Sequence, residues 1–220
     1  MPVQQPIGTA VLYVSSRVRP EVVDAFNTWC DSVHHFDTMR IDGFLSLRRF
    51  ELVEGHGAGD VTEYPLLTLY QVEKAADADF STPSYAHHSA TYTPPPPGVV
   101  DGIEFERTVY EREDMSGART QPVGAACIAL ISPTGATTTD ARAIASRSPG
   151  VLNTYVVKDD QRSVLLIDVE HEHEGRELLA QLAQLAQVES HDERSVQLFR
   201  QVFPPNGVLL RDREILAGTP

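Results

Sequence analysis

The stretch from residue 20 to residue 50 reads PEVVDAFNTWCDSVHHFDTMRIDGFLSLRRF. Pro20 suits a first helical turn, where its missing N–H has no partner to lose. Val22, Phe26, Trp29, Val33 and Phe36 follow at steps of four and three, so they share one face of a helix. Val23, Cys30 and His34 form a second row beside that face. His35 falls with Asp24, Thr28 and Asp31 on the polar side. The spacing therefore predicts a partly buried His34 and a His35 mostly in water. Asp42-Gly43 makes a tight turn into a strand, on which Arg48 and Arg49 point to opposite faces.

Working outward, residues 8–18 (GTAVLYVSSRV) are rich in β-branched and aromatic types and read as a first strand, after a loose polar lead-in over residues 1–7. Residues 54–64 have the glycine and acid content of a hairpin loop, and residues 65–73 read as a third strand. Residues 74–90 suit a second helical region, restarted near Pro83. The run Pro94 to Pro97 is a stiff extended connector, since proline fits neither a helix interior nor a central strand. Residues 101–112 alternate, with Ile103, Phe105, Arg107 and Val109 on one face. The order is β-α-β-β-α-β, a ferredoxin-like unit, whose uncovered sheet face must pack against something.

The remainder repeats that order. Residues 123–132 read as a strand, 137–147 as a short helix, and Val151 onward as a strand after the turn at Pro149-Gly150. Residues 161–169 read as a strand and 174–187 as a helix, with Leu178, Leu182 and Leu185 at steps of four and three. A further helix is expected over 192–202, before Pro204-Pro205, and GVLLRDREIL as the closing strand. The fold class expected is thus α+β, with two tandem ferredoxin-like units: residues 1–115 holding the pocket, and residues 116–220 a degenerate, mainly structural copy. Nothing in the second half corresponds to Trp29 and His34.

Composition narrows the function classes. A formal charge of −13 over 220 residues argues against nucleic acid or an anionic membrane as partner. No apolar run approaches the roughly 20 residues that span a bilayer, and no basic-then-apolar leader opens the chain. Cys30 and Cys127 read as a reduced pair of small hydrophobes in a cytoplasmic protein. No CxxC, GxGxxG, P-loop or GxSxG pattern occurs, so no cofactor is expected. Gly55-His56-Gly57-Ala58-Gly59 lies between strands and lacks the helix N-terminus that cradles phosphate. His171 and His173 alternate at a strand end without a third ligand at motif spacing, so no metal is expected either.

Trp29, Asp31, His34, Gly43-Phe44, Ser46 and Arg48-Arg49-Phe50 together resemble the helix-turn-strand of the dimeric α/β-barrel superfamily, in its EthD-like branch. The resemblance covers residues 8–113. Val33 stands where that branch carries an acid, and Asp42 where it carries proline. The resemblance implies that the two units pack sheet to sheet as a fused dimeric α/β barrel, with a small-molecule pocket between the first helix and its sheet. His34 would be the acid or base there. Tyr70 and Arg49 would steady an oxyanion, completing the catalytic set. Trp29, Arg48 and Tyr13, with Tyr85 and His88 from the region over the pocket mouth, would bind substrate. The expected activity is cofactor-independent proton transfer (cyclisation, dehydration or isomerisation) on a small apolar, polyketide-like or aromatic carbonyl compound. Two alternatives are a cofactor-free monooxygenase on a phenolic substrate and a non-catalytic ligand-binding or stress-related barrel. The fused pair either stands alone or forms a homodimer.

Overall fold

The computed structural model describes residues 3–57, 63–79, 92–113, 119–133, 138–188, 194–205, 207–211 and 215–217. Strands β2 (Ala10–Val18), β3 (Phe44–Gly57), β4 (Leu66–Val72) and β5 (Ile103–Arg112) lie in the order β5-β2-β4-β3. Strands β7 (Ala126–Pro133), β8 (Val151–Lys158), β9 (Arg162–Val169) and β10 (Ser195–Phe203) repeat it as β10-β7-β9-β8. All these pairings are antiparallel. Each set is a ferredoxin-like sheet, and together they close an eight-stranded barrel. The seams differ in length. β3 and β10 pair from Ser195↔Gly57 to Phe203↔Arg49, whereas β5 and β8 meet at Glu111↔Lys158 and Arg112↔Val157.

Three apolar layers follow from strand alternation. The barrel interior holds Val11, Tyr13, Phe50, Leu69, Tyr110, Cys127, Tyr155, Leu166 and Phe199, drawn from both halves. The outer face of the second sheet is covered by helices α3 (Thr139–Ala145) and α4 (Glu172–Val188), through Ala141, Ala145, Leu178, Leu179 and Leu182. The outer face of the first sheet is covered by the segment between β2 and β3. That segment is helix α1 (Val23–Trp29), a π-helical turn over Cys30–His34, and helix α2 (His35–Thr38). Gly43 then takes φ +88° at the turn into β3, a conformation open to glycine and strained for other residues.

Several expectations change. The segment expected as a helix over 192–202 is strand β10 from Ser195. Val196 and Leu198 face the helices of the second half while Phe199 faces the barrel, a period of two rather than 3.6. The closing role passes to β10, and β11 (Gly207–Leu210) instead extends the sheet beyond β3, with β12 (Ile215–Ala217) outside it. The expected hairpin loop begins late, because β3 runs on to Gly57 to meet β10. The lead-in is not loose: β1 (Val3–Pro6) pairs with β6 (Thr120–Val123). His171 and His173 flank the first residue of α4 rather than ending a strand, with rings stacked at 5.6 Å. Among the described residues no three metal-ligating side chains converge, and no helix is long and apolar enough to cross a membrane.

Candidate functional site

The π turn builds the site. His35 N–H donates to the Cys30 carbonyl, five residues back, where an α-helix would reach four. One extra residue in a turn rotates everything after it by roughly 100°. The buried row therefore runs Phe26, Cys30, His35, Thr38 and Met39. Trp29, Val33 and Phe36, which a regular helix would bury, are only half-buried. This corrects the expectation for His35, which is 1% exposed rather than in water, while His34 is half-buried as its row suggested. The same turn brings Trp29 over His34. Five residues apart on an α-helix they would diverge by roughly 140°, yet their rings stack at 4.5 Å and 18°.

Both imidazoles line a cavity of about 280 Å³ between this broken helix and the outer face of the first sheet. Its walls are Leu12, Val14, Ser16, Thr68 and Tyr70 from β2 and β4, and Phe26, Trp29 and Ile41 from the helical side. Ile103, Phe105 and Arg107 of β5 complete it. Phe105 is 52% exposed, so this face of β5 forms a rim of the cavity rather than a covered layer. Tyr92, just before the proline run, closes the other side. Its hydroxyl is hydrogen-bonded to Nδ1 of His34 and its ring meets those of His34 and Trp29 edge-on. Two further bonds, both at Thr93, fasten this segment to the helix. Trp29 Nε1 donates to the Thr93 carbonyl at 3.2 Å, and Thr93 N–H donates to Asp37 at 3.1 Å.

Burial sets the electrostatics. It pushes the His34 imidazole down to about 4, against a weaker upward pull from Asp37. Burial, with His34 and Arg49 nearby, holds His35 well below its ordinary value. Both rings are therefore neutral at pH 7. With Nδ1 of His34 engaged by Tyr92, Nε2 is the ring nitrogen left to meet a ligand. Nδ1–H donating to Tyr92 leaves Nε2 a proton acceptor; the opposite tautomer makes Nε2–H a donor to an oxyanion.

Of the other residues singled out in the sequence, Tyr70 and Trp29 line the cavity with His34. Arg49 does not. It lies on the helix side of β3, but its guanidinium is held by Asp31 at 2.7 and 3.1 Å and by Asn27 at 2.8 Å, so it fastens the π turn to the sheet. Arg48, on the opposite face, points into the barrel and pairs at 2.6 Å with Asp168 of β9, both 1% exposed. Tyr13 is likewise inside the barrel, edge-on to Tyr110, because its strand neighbours Leu12 and Val14 take the cavity face. Tyr85 and His88 lie outside the described residues. Tyr92 and Asp37 were not picked out by sequence reasoning, and His35 was set in water rather than in the site. For Tyr92 the usable signal was an aromatic two residues before a rigid proline run.

The architecture matches solved structures across nearly the whole chain. An anthrone oxidase-like protein superposes with a TM-score of 0.58 at 12% identity, covering 96% of each chain. The chain has the dimeric α+β barrel fold. A candidate monooxygenase of Fusobacterium nucleatum subsp. nucleatum shares this barrel fold (TM-score 0.53, 8% identity, 96% of this chain and 99% of that one). So does a candidate chlorite dismutase (TM-score 0.53, 10% identity, 88% and 94%). At these identities the barrel fold is what is shared. No protein-family model and no curated protein matches the sequence.

Proposed function

We propose that the chain is an EthD-like barrel enzyme that oxygenates a phenolic or anthrone-like aromatic without a cofactor. The unit up to residue 115 would carry the site, and residues 116–220 would support it. The observation that carries this reading is a pair of neutral imidazoles, one hydrogen-bonded to a tyrosine, on the wall of an apolar cavity. The fold shared with an anthrone oxidase-like protein and with a candidate monooxygenase supports it.

The chemistry balances with dioxygen alone. Nε2 of His34 takes a proton from an acidic C–H of the substrate, and the carbanion delocalises onto the carbonyl oxygen conjugated with it. One electron passes to O2, recombination forms a C–O bond, and the peroxide anion takes the proton back from His34 to become a hydroperoxide. Loss of water leaves a carbonyl where a CH2 stood, with one oxygen atom retained and one released as water. Burial alone makes His34 resist protonation. An oxyanion formed beside it reverses that, because an opposite charge close by favours the charged imidazole. The apolar walls strengthen the pairing by excluding water.

Oxygen uptake with anthrone as probe tests this. One O2 consumed per anthrone, above the buffer rate, and a loss of roughly 10²-fold in His34→Ala are expected. Unchanged turnover in His34→Ala overturns the role of His34. Product formed without oxygen uptake overturns oxygenation and leaves the proton transfer alone, as in a cyclisation or isomerisation.

A further inference from the structure

His35 is not explained by the chemistry above. Among the described residues neither ring nitrogen has a hydrogen-bond partner, although the side chain is almost fully buried. Burying a polar group without a partner is costly, and native structures rarely leave one so. The packing around the ring is otherwise good. It stacks on Phe203 at 5.5 Å and 30° and meets Tyr70 edge-on at 6.4 Å, contacts a phenylalanine would make as well. So packing does not require an imidazole here, and the ring lines the cavity.

The surroundings also favour one tautomer. The nearest acid is Asp31, with Oδ1 3.9 Å from Nε2 and its carboxylate already held by Arg49. The tautomer that carries its proton on Nε2 is the one that aims it at this acceptor. Nδ1 is then a lone pair that needs a donor, and none of the described residues supplies one.

We infer that His35 is the specificity residue of the cavity, and that its Nδ1 accepts a hydrogen bond from a hydroxyl group on an aromatic ligand. This deepens the reading above by naming the group recognised. A phenol or the enol form of an aryl ketone satisfies it; the corresponding ether or hydrocarbon leaves the nitrogen orphaned. His34 and His35 then divide the work, the first exchanging a proton with the substrate and the second choosing which molecules are seated.

Calorimetric titration with 1-naphthol and with 1-methoxynaphthalene tests the inference without turnover, so failure of oxygenation does not decide it. Naphthol is expected to bind about 10-fold or more tightly than the methyl ether, as one hydrogen bond to a buried group is worth. His35→Phe is expected to abolish that preference while raising the melting temperature by ~2–4 °C, since an orphaned polar group is replaced by a ring that packs alike. His35→Asn, which offers an oxygen near the place of Nδ1, should restore part of the preference. Equal binding of the two probes by the unaltered protein overturns the inference. So does a His35→Phe protein that still prefers naphthol. A His35→Phe protein that melts lower shows that the imidazole is structural, which also overturns it.

Discussion

The two halves share one topology and use the space under their helices differently. In the second half, α4 runs unbroken for 17 residues, and Leu178, Leu179 and Leu182 fill the space against Ile128, Leu165 and Ile167. In the first half a π turn interrupts the helix, and aromatic and polar side chains line a cavity instead of filling it. An uninterrupted leucine row at steps of three and four closes a helix onto a sheet. One extra residue places Cys30 and His35 in the buried row, and it swings His34 into a stack with Trp29. A single inserted residue thus separates a packed wall from a lined one.

The largest expected effect comes from cutting the link between the halves. Arg48→Met leaves Asp168 buried without its partner and should destabilise the protein by roughly 3–5 kcal/mol in urea denaturation. Replacing both members by apolar residues should recover most of that loss. If Arg48→Met alone is neutral, the halves are not tied through this pair.

The contrast between filled and lined walls is sharpened by paired truncations. Leu182→Ala opens a hole in a packed layer and should cost roughly 2–5 kcal/mol. Leu12→Ala, beside a cavity that already exists, should cost less, because fewer contacts are lost. Equal losses would show that the first half is as tightly packed as the second.

The smallest effect is that of acid. His34 binds a proton near 4 when folded and near 6.5 when unfolded. Between those values the unfolded chain holds more protons, so stability must fall as pH falls through that window. The contribution is roughly 3 kcal/mol at most and nearer ~2, since the ring is only partly buried. His35 acts in the same direction. Comparing the unaltered protein with the His34→Gln, His35→Phe double variant between pH 7 and pH 4 isolates it: the variant should show the shallower acid loss. Activity that needs a neutral His34 should stay level through pH 5–8 and drop only towards pH 4, and a limb near 6.5 would place the ring in water.

Much of the fold was legible because alternation and turn chemistry are local. Val11 against Leu12, Gly43 at its turn and the leucines of α4 each declare a face. Strand β10 was missed because its alternating residues are mixed with glutamine and arginine, which a helix accepts equally. What defines it is pairing with β3, some 145 positions away. The site was legible only in part for a related reason. Periodicity assumes a constant 100° per residue, and the π turn breaks that assumption between Cys30 and His34 without a proline or glycine to mark it. His34 came through because its row beside Val23 and Cys30 already set it next to the apolar face. His35 did not, because the regular helical projection turned it to the wrong side. Arg48 and Arg49 were rightly set on opposite faces, but neither reaches the cavity, since each is captured by an acid that no local pattern reveals.

The chain contains 1 tryptophan, and it is the one stacked on His34. All indole emission from this protein therefore originates at the cavity wall, within 4.5 Å of the imidazole centroid. The molecule carries its own optical gauge of that ring, with no second emitter of the same kind to dilute the signal.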